Sequence, residues 1–481
     1  MRGSPSLWFR SEKLRRAFAL SAVVLATGGL VLYKAPTSSA LLTDSIRVPL
    51  TADGKNAVAF GGEGARGVLA LSHKKVLAHQ TTPVFAELRL VADASERAVV
   101  RAPISLVVVL DTSGSMSGEK IEDAKRSVLR LISDMRDEDE IAVIRYSDTS
   151  EQIQSLVRVG SVRSSLSARI RELSTGGGTN IPSGLSHGLR SLDEATKGRV
   201  RRIVLVSDGL DSTRAQAESL ARSSFSSGIT VSSLGIGLDF DESYMGAVAQ
   251  SGHGNFAFIK DGGSLAGFLK RELEETAMTT IEDARVYIQL PSGTRFVSAT
   301  GADATFDGNG VELRLGSLFA GDERRVILEL TVDGAPGSSD LRASTSWKKV
   351  GGLGTRVSSV PTLSLTTSYD ASEVERGRDG AVFASAMSVI ASKRQLEAAS
   401  AYARGDVSTA TRLTAENEAA LGSALAAAPP AAAPALTAQM NAYSAQMKGF
   451  SSVRPQSAEG KAVAKSAAAK DLGNLNRASS F

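Results

Sequence analysis

The sequence of 481 residues contains no cysteine, which removes disulfides, thiol nucleophiles and zinc–thiolate sites together. This does not place the chain in a reducing compartment, because oxidising compartments permit disulfides without requiring them. Histidine is scarce. His73, His79, His187 and His253 lie too far apart to form a local ligand motif, and His187 and His253 read as hydrogen-bonded core or surface residues. Charge of one sign is lacking too. The formal net charge of +4 comes from the ends: residues 1–40 hold six Lys/Arg against one acid, and 436–481 hold six against two. The middle therefore carries 43 basic and 48 acidic residues, a net of −5. No clustered basic face of the kind that binds nucleic acid is visible.

Long apolar runs are missing with one exception. Arg2, Arg10, Lys13, Arg15 and Arg16 precede the uncharged stretch Ala17 to Leu32, and a basic flank before such a stretch is an export or insertion signal. Residues 1–40 are read as a signal peptide or N-terminal membrane anchor, with Ser38-Ser39-Ala40 offering small residues for cleavage. The length favours retention as an anchor. Either outcome leaves the positive flank inside and the rest outside, so the expected location is the cell envelope: the periplasm or the outer face of the cytoplasmic membrane.

Residues 41–102 read as strands broken by Gly-rich turns. From 103 to 278 strands alternate with helices. Ile104–Leu110 is a continuous apolar run, as expected of a strand buried on both faces, and Ile121, Ala124, Val128, Leu131 and Met135 share one face of the helix that follows. Asn180 can cap a further helix with Pro182 in its first turn. The pattern predicts a doubly wound α/β domain. Residues 279–369 return to a period of two and are expected to form one β-sandwich with 41–102. Residues 370–426 predict a helical hairpin, stopped and restarted at Gly405-Asp406. Ala427–Ala435 reads as a stiff linker, followed by a short helix and, beyond Ser451, a disordered tail.

The chemistry gathers in the α/β part. Asp111-Thr-Ser113-Gly-Ser115 follows directly on the buried strand, and ligands of such folds bind at the carboxyl ends of strands. Asp208 closes a second strand, 203–207, and Thr179 lies in the loop Ser174-Thr-Gly-Gly-Gly-Thr179-Asn, flexible enough to bring a hydroxyl toward the same point. Three hydroxyls and two carboxylates are hard oxygen ligands suited to Mg²⁺, with Mn²⁺ or Ca²⁺ also possible. By itself D-x-S-x-S could be a capping loop, with Ser115 or Ser117 satisfying backbone N–H groups.

With Thr179, Asp208 and the order of strands and helices added, the chain resembles the von Willebrand factor A / integrin I-domain family. That family's metal-ion-dependent adhesion site reads D-x-S-x-S, a downstream T, then a D ending a later strand. The wider arrangement is similar to bacterial exported proteins with a central A domain, and to the A domains of inter-alpha-trypsin inhibitor heavy chains. The resemblance implies a metal site at Asp111, Ser113, Ser115, Thr179 and Asp208, and a protein partner that offers an Asp or Glu as a further ligand. It implies binding without turnover, and no small-molecule substrate. Two other readings stay open: a scaffold of an envelope complex, and a metal-dependent hydrolase, for which no general base is placed.

Three further motif matches are set aside. Gly62-x-Gly64-x-x-Gly67 fits a dinucleotide fingerprint but lies among strands and turns. Gly184-Leu-Ser186-His-Gly188 fits a nucleophile elbow but falls inside a helix. Ser117-Gly-Glu-Lys120 fits S-x-x-K, with Glu119 and Lys120 read as the first turn of a helix. Trp347 reads as sandwich core.

Overall fold

The computed structural model describes residues 56–93, 103–208, 213–236, 242–259, 262–335, 337–350 and 354–476. The export or anchor segment, the strand expected at 45–50 and the last five residues lie outside them. Among the described residues no helix is long and apolar enough to cross a membrane.

The chain begins with β1 (Ala57–Gly62), β2 (Ala65–Leu71), β3 (Lys75–Leu77) and β4 (Thr81–Ala92). The α/β domain follows: β5 (Ile104–Asp111), a 3-10 turn (Gly114–Met116), α1 (Glu119–Asp134), β6 (Glu140–Tyr146), β7 (Ser150–Arg158), α2 (Val159–Glu172), α3 (Ile181–Leu192), β8 (Val200–Ser207), α4 (Arg214–Ser226), β9 (Ile229–Ile236), α5 (Glu242–Ser251), β10 (His253–Ile259) and α6 (Gly262–Ala277). Its sheet runs β10-β9-β8-β5-β6-β7, parallel except for the edge pair β6–β7. Every residue of β5 is buried. Leu106, Val108 and Leu110 face a core closed by α1, α2 and α6; Val107 and Val109 face the opposite core, closed by α3, α4 and α5. This two-sided covering explains why β5 reads as an unbroken apolar run. α5 has no counterpart in the sequence reading; Tyr244, Met245 and Val248 bury it on the sheet.

The second β-rich part comprises β11 (Thr279–Gln289), β12 (Thr294–Thr300), β13 (Asp303–Phe306), β14 (Gly310–Phe319), β15 (Glu323–Asp333), β16 (Ser338–Lys349) and β17 (Thr355–Ser368). One sheet orders as β1-β2-β4-β15-β12 and the other as β13-β14-β11-β16-β17-β3. Each sheet takes strands from both sides of the α/β domain, and both line one core that includes Trp347, which is fully buried and donates its indole N–H to the Glu63 carbonyl at 3.0 Å. The α/β domain is thus inserted into a sandwich between β4 and β11.

The C-terminal part departs from expectation. After the short α7 (Ala371–Arg376) come four long helices, α8 (Gly380–Ala403), α9 (Val407–Ala427), α10 (Ala433–Ser452) and α11 (Ala458–Asn476). Asp406 caps α9 by accepting the Thr409 N–H, behind Gly405 at φ +92°. The stretch read as a stiff linker is a short turn, residues 428–432, between two helices: α9 runs to Ala427 and α10 starts at Ala433, with Pro434 in its first turn. The tail read as disordered holds α11. Its Ala-rich composition gives high helix propensity, and Ala464, Ala467, Ala468, Leu472 and Leu475 bury one face. That face lies on α8 and on α5, where Leu472 lies so close to Gly246 that a Cβ there would come within 2.7 Å of it. Only this docking supplies the apolar partners that the tail lacks in isolation.

Candidate metal centre

β5 is the first strand of the α/β domain and lies between β6 and β8, so the connections leaving β5 and β8 diverge at their carboxyl ends. A crevice opens at such a reversal of strand order. Asp111 ends β5 and Asp208 follows β8, both buried.

The short loop after β5 turns inward because Asp111 holds it. Asp111 Oδ1 accepts the Ser113 N–H at 2.8 Å, and Oδ2 accepts the hydroxyls of Ser207 at 2.7 Å and Tyr146 at 3.3 Å. Ser113 Oγ and Ser115 Oγ stand 3.0 Å apart, and Ser115 Oγ donates to Asp208 Oδ1 at 2.8 Å. Four of the five expected ligands therefore form one hydrogen-bonded network. Ser115 is exposed and marks the open side. The capping alternative fails: α1 has Gly118 at its N-cap and no side-chain cap, and Ser117 Oγ donates to the Gly114 carbonyl instead.

Thr179 is half-buried, and among the described residues its hydroxyl makes no hydrogen bond to the other four. What the structure brings together is its loop. The Gly176 N–H donates to the Thr112 carbonyl at 2.8 Å, the Gly114 N–H to the Gly177 carbonyl at 3.0 Å, and the Gly178 N–H to Asp148 Oδ1 at 3.0 Å. Thr179 lies two residues beyond Gly177, before Asn180, which caps α3 by accepting the Ser183 N–H. The glycines do more than permit bending. A Cβ on Gly177, at φ +79°, would fall 2.4 Å from Asp148 Oδ2, and one on Gly178 2.6 Å from Oδ1. The loop is pinned, not slack.

Three residues at the centre were not anticipated. Lys120 donates to Asp208 Oδ2 and to the Ser115 carbonyl at 3.2 Å, its side chain 29% exposed against 0% for Asp208. Its place in the first turn of α1 was legible; its partner, 88 residues away, was not. Ser207 and Tyr146 end β8 and β6 and reach Asp111 from the two flanking strands, so strand order alone brings them there. Burial holds the Asp111 carboxyl above the usual carboxylate range; hydrogen bonds from Ser207 and Ser113 offset part of this, and the Asp208 charge adds to it. Burial and the Asp111 charge push the Tyr146 phenol well above its usual range, so it stays a donor.

The donor set fits a small hard cation. Octahedral Mg²⁺ at about 2.1 Å from each ligand holds adjacent oxygens about 3.0 Å apart, and the Ser113–Ser115 and Ser115–Asp208 oxygen separations are 3.0 and 2.8 Å. Two buried carboxylates near one another favour a neighbouring positive charge, and Lys120 supplies one to Asp208. Among the described residues no group of three His, Cys, Asp or Glu could hold a metal, as expected when most ligands are neutral hydroxyls.

The motifs set aside have structural explanations. Gly184 and Gly188 sit in α3, where added Cβ atoms would meet the Tyr146 ring at 2.7 Å and Val109 at 2.8 Å; they let the helix approach the sheet. Gly62, Gly64 and Gly67 belong to the β1–β2 hairpin, and a Cβ at Gly67 would strike the Arg89 carbonyl at 2.4 Å. His187 Nδ1 is 3.1 Å from Ser150 Oγ, and His253 stacks on Phe225 at 3.6 Å between ring centroids.

The model of the von Willebrand factor type A domain matches residues 105–271. The uncharacterized protein sll0103 of Synechocystis is 27% identical over 249 residues, covering 48% of this chain and 58% of that protein. The uncharacterized protein YfbK of Escherichia coli is 28% identical over 263 residues, covering 51% and 45%. The chain thus spans about half the length of these curated relatives. A solved von Willebrand factor type A structure from Catenulispora acidiphila superposes with a TM-score of 0.65 at 18% identity, covering 90% of this chain and 99% of that one, which establishes the fold across all three parts.

Proposed function

We propose, from the premise that this chain carries a von Willebrand factor type A domain, that it is an exported, envelope-associated, non-enzymatic protein that binds a partner protein through a Mg²⁺-dependent adhesion site. The observation that carries the reading is the hydrogen-bonded oxygen network at the carboxyl ends of β5 and β8. Asp111, Ser113, Ser115, Thr179 and Asp208 would hold the ion, and Mn²⁺ or Ca²⁺ would fit the same donors. When bound, the cation supplies an electrophilic centre that accepts a carboxylate oxygen from an Asp or Glu of the partner.

The protein's own groups prepare for this. Neutral hydroxyls fill coordination positions without cancelling the positive charge. Ser207 and Tyr146 hold Asp111 Oδ2, so this carboxylate cannot rotate away. Exposed Ser115 leaves the site open toward a partner. The scaffold and hydrolase readings lack comparable support; a hydrolase needs a general base aimed at the site, and Asp111 and Asp208 are occupied as ligands. The basic flank and apolar run of residues 1–40 support export.

The test compares proteins that co-purify with the parent, with Thr179→Ala, and with the parent in EDTA. Thr179→Ala removes one neutral hydroxyl that, among the described residues, makes no hydrogen bond to the other four, and leaves both carboxylates in place. The variant is expected to fold and to lose the partner, as is the parent in EDTA. Retention of every partner by both would overturn the adhesion reading in favour of the scaffold.

A further inference from the structure

Away from the metal centre, a cleft of about 1090 Å³ lies where the α/β domain meets the C-terminal helices. α4 and α5 form one wall; α8, α9 and α11 form the other. The charges are one-sided: Arg214, Lys393, Arg404, Arg412, Lys461 and Lys465 line it, against the single acid Glu397. Arg214 and Arg412 have acidic neighbours on their own helices, Glu218 and Glu416, neither of which faces the cleft. The middle of the chain is acidic on balance, so a recess whose lining holds six cations and one acid is a local arrangement. Between the cations the lining mixes polar side chains with half-buried Leu396 and Leu413, above the buried Leu472 and Leu475.

We propose that this cleft docks an acidic, amphipathic segment of a protein partner, independently of the metal centre. Charge complementarity selects the occupant: carboxylates answer the cations at the rim and leucine-sized side chains answer the apolar floor. The volume is at the upper end of that of single-ligand pockets, about 300–1,000 Å³, and suits a few residues of a peptide chain passing through. A compact anion would use the rim charges and leave the leucines uncovered. The wall that carries Lys461 and Lys465 is α11, which packs on α8 and α5.

The experiment uses the full chain and a fluorescein-labelled peptide of alternating Glu and Leu, read by anisotropy in EDTA. Binding is expected without metal, weakening as salt rises through the range where screening shortens to about 8 Å. Lys393→Glu combined with Arg412→Glu reverses two exposed charges and should weaken binding by at least about tenfold while the melting temperature holds. A Lys-Leu peptide should not bind. Pyrophosphate and phosphatidylglycerol vesicles serve as the competing occupants. If either binds in a Lys393/Arg412-dependent way while the acidic peptide does not, the proposal is overturned, as it is if the double variant binds the peptide as the parent does. Because every arm runs in EDTA, failure here is separable from failure of the metal reading.

Discussion

Lys120 is where the proposed metal centre can be tested most sharply, because its ammonium already pairs with Asp208, one of the proposed ligands. Asp208 is fully buried, and its Oδ2 faces Lys120 while Oδ1 faces the Ser115 hydroxyl. Breaking a fully buried pair costs about 3–5 kcal/mol because a charge is left unpaired. The Lys120 side chain is 29% exposed, so water screens part of the attraction, and about 2 kcal/mol is the reasonable expectation. Lys120→Met keeps the apolar stem and removes only the charge. In EDTA the variant should melt roughly 4–8 °C below the parent, at ~2–4 °C per kcal/mol for a domain of this size. At a common saturating Mg²⁺ concentration this gap should close. The parent must surrender the Lys120–Asp208 pair when the ion enters, and the variant has nothing to surrender. If all of that ~2 kcal/mol is recovered, the variant binds Mg²⁺ about 30-fold more tightly. At 100-fold excess over its own Kd the ion adds ~2.7 kcal/mol to either protein. Calorimetric titration gives the affinities and scanning in EDTA gives the apo stabilities. Equal Mg²⁺ affinity in the two proteins would refute the claim that the ammonium and the ion compete for the Asp208 carboxylate.

Two other expectations follow from particular residues. His253 is half-buried and stacked on Phe225, with Arg324 and Arg222 nearby, and desolvation, then those two charges, hold its pKa down from 6.5 to about 3. The folded state therefore binds the neutral ring, and its stability contribution is present above pH 6.5 and lost as pH falls toward 3, at about 1.4 kcal/mol per unit. His253→Asn, which tolerates the φ of +51°, should shrink the stability gap between pH 7 and pH 5 by about 2 kcal/mol in urea titrations; an unchanged gap would show that the ring is not the titrating group. Lys465 is 3% exposed inside α11. Native trypsin digestion should therefore spare the bond after it, whereas rapid cleavage there would restore the reading of the tail as disordered.

What the sequence determined was everything carried by local pattern. The apolar run 104–110, the 3–4 spacing of Ile121, Ala124, Val128 and Leu131, the Asn180 cap and the Gly405-Asp406 break are each written within a few residues, and each element stands where that pattern puts it. The residues proposed as ligands were legible because D-x-S-x-S, Thr179 and Asp208 are read off directly. The tertiary structure decided what depends on distant segments. Strand order around β5 chose Tyr146 and Ser207 as the residues that hold Asp111, and put Lys120 against Asp208. The pinning of the Thr179 loop rests on Asp148, 29 and 30 positions away from the glycines it touches. The segment beyond Ser451 was misread for the same reason. An alanine-rich stretch has helix propensity but too little apolar surface to fold alone, and only the presence of α8 and α5 beside it turns that propensity into α11. Local free energies are encoded where they act, but the burial that turns a marginal helix or a lone lysine into part of a site is supplied by neighbours that no window of sequence contains.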